Sequence, residues 1–257
     1  MRTLVSGANS GLGSYLQKLF RAESLTRDIS VARLIENEEY DVIIHCAVNP
    51  NISQDEKSLA SFIEDNLILT SDLLKVKHKY FIFISSVDVY PKIQELKCSE
   101  DQNICLSDLK NEYPIVKLMS ESLVLKNSSR SLILRPSAML GSESRPNSLI
   151  KMLKDKPLKL ELSGDSIFNY ILHEDVGRFI SRCILERPEG IYNLASLKNV
   201  TLSEVAQKYK LKNVTFGSYK YSTGNIDISK VTSETSFISK TSMKVVDYYF
   251  NYLRSLK

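Results

Sequence analysis

Short apolar runs alternate with longer amphipathic stretches along this chain, and the two kinds of segment carry different periods. Thr3–Ser6, Asp41–Cys46 (DVIIHC), Tyr80–Ile84 (YFIFI) and Ser131–Leu134 (SLIL) are apolar nearly throughout. Runs so brief and so continuous suit strands buried on both faces. Between them, Gly11–Phe20, Leu59–Val76 and Pro114–Lys126 carry apolar residues at helical spacing. Strand alternating with helix predicts an α/β fold of βαβ units, with a parallel sheet and right-handed crossovers.

After about Gly141 the pattern loosens. Strand candidates at Leu158–Leu162 and Ile191–Leu194 are separated by predicted helices near Pro146–Leu153, Asp175–Leu185 and Leu202–Tyr209, and a last helix is expected over Ser242–Leu253. The expected organisation is a sheet domain over residues 1–140 and a smaller lobe over 141–257, with helices returning to the sheet. Open parallel sheets bind ligands outside the C-terminal ends of their strands, so the site belongs where the apolar runs end.

Composition narrows the class. Of 257 residues, 43% are hydrophobic and 25% charged, which argues against disorder and fibrous repeats. The net charge of +4 is spread without a block of like charges, so it suits an anionic small molecule as well as nucleic acid and decides nothing alone. No interleaving of basic and aromatic residues suggests a nucleic-acid surface. No stretch approaches the roughly 18 apolar residues of a membrane span. The opening MRTLVSGANSGLG meets glycine and asparagine before a signal-peptide core can form. A cytoplasmic protein is expected. Cys46, Cys98, Cys105 and Cys183 form no CxxC pair, and the chain has three histidines, so reduced thiols and no metal site are expected.

Two motifs carry chemistry. Gly7-Ala-Asn-Ser-Gly11-Leu-Gly13 follows the first run and opens the first helix. Glycines there permit a tight turn and bring backbone N–H groups close to a diphosphate at the helix N-terminus. Tyr113-Pro-Ile-Val-Lys117 places a phenol and an ammonium on one helix face, with Pro114 expected at the first helical position. A nearby ammonium favours phenolate, so Tyr113 is expected to be acidified and to exchange a proton with a carbonyl or carbinol. Ser85-Ser86 ends the third run, where a hydroxyl would hydrogen-bond the same substrate oxygen. His45 reads as a strand-end histidine and His173 as a structural hydrogen-bonding residue. Tyr248, Tyr249 and Tyr252 read as the packing face of the last helix.

Together these segments resemble the extended short-chain dehydrogenase/reductases, the NAD-dependent epimerase/dehydratase family. The layout is similar to dTDP-4-dehydrorhamnose reductases and nucleotide-sugar epimerases. The resemblance runs in order through Val5–Gly13, Arg27–Ser30 with Tyr40–Ala47, Asn66–Leu74, Ser85–Tyr90, Tyr113–Lys117, Leu134–Ser137, Tyr170–Val176 (YILHEDV) and Gly190–Ala195. It implies a Rossmann-type doubly wound parallel sheet with a small C-terminal substrate-binding lobe, a cofactor that is NAD or NADP, and a nucleoside-diphosphate sugar as substrate. By resemblance Ser86, Tyr113 and Lys117 are catalytic. Gly7, Asn9, Ser10, Gly11, Leu12, Gly13, Asp28, Ile29, Cys46, Ala47, Asn66 and Pro136 would line the cofactor, with Tyr113 and Lys117 also touching it. Ser86, Val87, Tyr113 and Ser137 would face the substrate.

Strand two has little room before Asp28, and Arg21 or Arg27 would meet a 2′-phosphate, so NAD and NADP both stay open. Three departures from the family pattern matter. Val87-Asp88 stands where dehydratases carry Asp-Glu, which disfavours water elimination. Ala138 replaces an asparagine, and Phe168 replaces an arginine that pairs with phosphate; Lys151, Lys154, Lys156 and Lys159 lie nearby in sequence as possible substitutes. The leading expectation is a sugar-nucleotide 4-keto reductase or epimerase; the alternative is a catalytically silent dinucleotide sensor or regulatory subunit. Helices 59–76 and 114–126 would pair two copies of the chain, with Leu67, Leu74, Val116, Leu123 and Leu125 lining the seam or the core.

Overall fold

The computed structural model describes residues 1–49, 56–92, 97–153 and 156–256. Its centre is one six-stranded parallel sheet. In chain order the strands are β1 (Thr3–Ser6), β2 (Glu23–Leu25), β3 (Val42–His45), β4 (Phe81–Ile84), β5 (Ser131–Pro136) and β6 (Gly190–Leu194), and across the sheet they run β6-β5-β4-β3-β1-β2. Helices α1 (Gly11–Phe20), α2 (Val31–Asn37), α3 (Glu56–Ile63), α4 (Leu69–Lys75), α5 (Glu112–Asn127) and α7 (His173–Glu186) connect and cover it, while α6 (Ser148–Met152) packs away from the sheet.

Alternation along each strand divides the core in two. Val42, Ile44, Ile82, Ile84, Leu132 and Leu134 meet Leu12 and Leu16 of α1 and Val176 and Ile180 of α7. Ile43, Phe81, Phe83 and Ile133 meet Leu34 of α2, Leu73 of α4 and Val124 of α5. Both sheet faces are therefore covered, which is why the strands read as continuous apolar runs. The chain leaves β1 towards β2 on one side and returns to β3 on the other. The crevice between the ends of β1 and β3 is thus the switch point at which such sheets bind ligands.

Four elements differ from the sequence expectation. The run at 190–194, expected in the lobe, is β6 and pairs with β5. Its buried Tyr192, Asn193 and Leu194 are covered within the sheet and its helices. The predicted strand at 158–162 shrinks to Leu158–Lys159, paired with Val214–Thr215. Helix α2 was not foreseen; in VARLIEN only Leu34 is buried, too little for a periodic signal. The predicted helix at 59–76 is α3 and α4 joined by a π-helical turn, Glu64–Ile68. Pro114 is the third residue of α5, still in the first turn, where no intrahelical donor is needed.

The remaining chain packs around a third core of Leu140, Leu149, Ile150, Tyr170, Leu172, Val200, Val205, Val245 and Val246. Tyr170–Leu172 pairs in parallel with Ala138–Leu140, and Ile167–Phe168 pairs antiparallel with Val200–Thr201. These short pairs stand over the C-terminal ends of β4 and β5, because β5 runs almost directly into Ala138–Leu140. Among the described residues no helix is long and apolar enough to cross a membrane.

Candidate active site

The glycine turn is fixed by close approach. Gly7 has φ +72°, and a β-carbon there would stand 2.7 Å from the Ala47 Cα; one on Gly13 would stand 2.3 Å from the Gly7 carbonyl oxygen. The turn thus lies flat against the exit of β3 and draws the start of α1 onto itself. Two chambers flank it. One, of about 620 Å³, is lined by Gly7, Asn9, Ser10, Leu25, Thr26, Arg27, Ile29, Ala47 and Asp65. The other, of about 270 Å³, is lined by Ser10, Gly11, Leu12, Gly13, Cys46, Tyr113, Lys117 and His173. Two chambers joined over a helix N-terminus fit a ligand whose halves are linked by a diphosphate.

Three residues expected at the cofactor, Asp28, Asn66 and Pro136, lie outside both linings. Three-residue β2 turns sharply at Thr26–Ile29, where the Ile29 N–H donates to the Thr26 carbonyl; Ile29 faces the chamber and Asp28 faces solvent. Asn66 is buried in the π-helical turn, where its amide donates to the Phe62 and Asn49 carbonyls and its Oδ1 accepts from the Asn49 N–H. It braces the loop after β3.

Beyond β4 and β5 lies a third chamber, lined by Ser86, Val87, Asp88, Tyr113, Pro136, Ser137, Phe168 and Tyr221. Pro136, expected at the cofactor, belongs here. Strand β5 is two residues longer than the apolar run suggested, which carries Pro136 past the end of β4. The Ser137 Oγ is buried without a hydrogen-bond partner among the described residues. Tyr113 lines this chamber and the second one, so it stands at their junction.

Ser86 and Tyr113 line this chamber together, and Ser86 acts on the phenol. The Ser86 Oγ also accepts the Asp88 N–H at 3.0 Å, which caps a short helical turn and fixes its rotamer. Lys117, one turn along α5, is buried and donates to the Ile84 carbonyl at 2.8 Å, with its ammonium 6.0 Å from the Tyr113 ring centre. Burial, and then the Asp88 charge, push the Tyr113 phenol above its ordinary value, against smaller opposing effects of Ser86 and Arg145. The expected acidification by Lys117 is therefore not observed: desolvation of the phenol dominates, and the ammonium is spent on a backbone carbonyl. Burial also lowers Lys117 to about 8 and raises the Cys46 thiol to about 12, so that thiol keeps its proton.

A buried network holds these elements in place. The Arg135 guanidinium donates to both Glu121 oxygens at 2.9 and 2.6 Å and to the Tyr90 hydroxyl at 2.8 Å. The Ser85 hydroxyl donates to the same carboxylate at 2.5 Å, and Tyr90 donates to Asn193. This ties β4, α5, β5 and β6 together behind Ser86 and Tyr113.

The wall opposite is aromatic. Phe168 stacks on Tyr221 and Tyr170 at ring-centre distances of 4.7 and 5.6 Å. The Tyr221 hydroxyl donates to Asp88 at 3.1 Å, and Asp88 is ion-paired with Lys92, whose ammonium lies 5.4 Å from the Tyr221 ring centre. Lys151, Lys156 and Lys159 line none of the chambers at Tyr113, and Lys154 lies outside the described residues. Lys92, Lys110 and Lys220 instead line the outer cleft that Tyr113 and Tyr221 also reach. No sequence pattern pointed to them, since they come from separate loops.

His45 is structural, bonded to the Ser6 hydroxyl at 2.6 Å and to Thr70 at 2.8 Å, and burial lowers it to about 3. His173 departs from expectation. It is buried at the start of α7 beside the Tyr15 ring, but its Nδ1 has no hydrogen-bond partner among the described residues.

The sequence profile of the NAD dependent epimerase/dehydratase family matches residues 3–195, and the chain belongs to that family. A dTDP-D-glucose 4,6-dehydratase of Dictyostelium discoideum is 24% identical over 215 residues, covering 74% of this chain and 49% of that protein. The chain thus spans about half the length of this relative. The fold is shared with MoeE5 in complex with UDP-glucuronic acid and NAD (TM-score 0.84, 17% identity, all of both chains). It is shared equally with a dTDP-4-dehydrorhamnose reductase of Clostridium acetobutylicum (TM-score 0.82, 18% identity, 99% of this chain and 100% of that one). The family is NAD dependent, and MoeE5 holds NAD in its structure.

Proposed function

We propose that this chain is an NAD(P)-dependent oxidoreductase or epimerase acting on a hydroxyl or keto group of a sugar, with a nucleoside-diphosphate sugar 4-keto reduction as the first reading. The observation that carries it is the position of Tyr113, beside Ser86 at the junction of a glycine-lined chamber and a polar chamber. When bound, the nicotinamide supplies or accepts the hydride. Ser86 orients the substrate oxygen, and the Tyr113 phenol, kept protonated by burial, gives it a proton. Lys117 holds α5 to β4 and presents a positive charge below the phenol. Gly7 to Gly13, Ile29, Cys46 and Ala47 cradle the dinucleotide, and Val87 and Ser137 face the sugar. The division of labour runs near residue 140: residues 1–140 supply most of the cofactor cradle, while in 141–257 α7 and β6 return to complete the sheet and the rest closes over the substrate.

The test is turnover with a panel of nucleotide sugars and their 4-keto forms. Stoichiometric consumption of NADH or NADPH fits the reductase; epimer formation without net cofactor change fits the epimerase. A second reading, a silent dinucleotide sensor, is favoured by Phe168, an aromatic wall in place of a phosphate-binding guanidinium. Dinucleotide binding with no turnover across the panel would select it. We further propose a homodimer through α3, α4 and α5. Leu59, Ile63, Ile68, Met119 and Leu125 are exposed there, whereas Val116 is buried and Leu67, Leu74 and Leu123 are half-buried.

A further inference from the structure

The loop after Leu140 reaches back across the sheet to the glycine turn. The Glu143 carbonyl accepts the Gly11 N–H at 2.8 Å. Its carboxylate pairs with Lys18 at 2.5 Å and accepts from Ser14 at 3.4 Å, both on α1. Two residues on, Arg145 donates its Nε to the Ser10 hydroxyl at 2.9 Å. Asn147 then anchors the loop by capping α6, accepting the Ile150 N–H at 2.9 Å. The segment is a built strap, tied at both ends, across the start of the first helix.

Arg145 stands out within it. It alone among the strap residues lines both chambers beside the glycine turn, so it occupies the throat between them. Among the described residues no carboxylate pairs with it; Glu143, the nearest acid in sequence, is taken by Lys18. A guanidinium has five donors in a planar fork suited to phosphate oxygens, and the Ser10 bond uses one of them. In the second chamber the buried Nδ1 of His173 also lacks a partner among the described residues. The throat thus holds guanidinium donors that no carboxylate among the described residues occupies.

The geometry points to Arg145 as a clamp on the cofactor diphosphate, delivered to the cofactor domain from the strap at residues 141–147. The clamp rests on the dinucleotide reading of the two chambers. It supplies what the backbone turn lacks, a full positive charge, and it couples the strap's position to cofactor occupancy. Because Arg145 is exposed and packs no core, its replacement leaves the fold intact.

Isothermal titration of NAD, NADP and ADP-ribose into the wild type, Arg145→Ala and Arg145→Lys tests this. Loss of a charged hydrogen-bonded pair corresponds to about 10- to 100-fold weaker binding of all three probes in Arg145→Ala, with partial recovery in Arg145→Lys. The salt dependence of Kd is expected to become shallower in the alanine variant. Equal binding by wild type and Arg145→Ala would overturn the clamp alone. So would a variant that raised only the KM of the sugar substrate, because the guanidinium would then serve that ligand. A wild type that bound no dinucleotide would overturn both the clamp and the reading beneath it.

Discussion

Lys117 donates its ammonium to the Ile84 carbonyl at 2.8 Å, and its nitrogen lies 6.0 Å from the centre of the Tyr113 ring one helical turn away. The lysine joins α5 to the end of β4, and burial lowers it to about 8 from 10.5. Between those values the unfolded chain binds more protons than the folded one, so this group makes stability rise with pH. Below about pH 8 both states are protonated, and the full cost of burying an ammonium is present. Urea denaturation of wild type and Lys117→Met at pH 7 and pH 10 reads this directly. The wild type is expected to gain on the variant at the higher pH; a constant difference would contradict the assignment.

Tyr113 carries the proposed proton transfer. Removing a positioned acid costs about 100- to 10,000-fold in rate. Tyr113→Phe keeps the ring and its packing, so turnover is expected to fall by that range while dinucleotide affinity and melting temperature stay near wild type. Full turnover in this variant would remove Tyr113 from the chemistry.

The sheet was legible because its strands are covered on both faces and therefore read as continuous apolar runs, and the glycine turn because close backbone approach admits no β-carbon at Gly7 or Gly13. Helix α2 escaped because one buried leucine makes no period. The ionisation of Tyr113 escaped for a different reason: residue spacing shows that an ammonium is nearby but not which acceptor it chooses, nor how deeply the phenol is buried. Arg145, Lys92 and Tyr221 reach the chambers from loops, where no periodic pattern marks a direction.

Glu121 and Arg135 form a buried ion pair behind the end of β4. Glu121→Ala leaves a guanidinium buried without its counter-charge and is expected to cost about 3–5 kcal/mol in urea denaturation. The double change Glu121→Leu with Arg135→Met removes both charges and is expected to recover much of that loss. It also removes the acceptor of Ser85 and the guanidinium on Tyr90, so turnover should remain below wild type even where stability returns. Recovery of both together would show that the pair stabilises the fold without positioning Ser86.

The exposed apolar residues of the α3–α4–α5 face carry the last prediction. Ile68 is 48% exposed, Met119 46% and Leu125 48%, although all three stand beside helices whose opposite faces are fully packed. Exposed apolar residues gathered on one set of helices are what a contact with another chain would cover. In the proposed homodimer, Met119→Glu with Leu125→Glu places like charges face to face across the two-fold axis. Sedimentation velocity is expected to give a dimer for the wild type and a monomer for the double variant. Because neither side chain contributes to the cores, the unfolding midpoint at low protein concentration should change little. A wild type that sediments as a monomer at micromolar concentration would leave this face without a second copy of the chain as its partner.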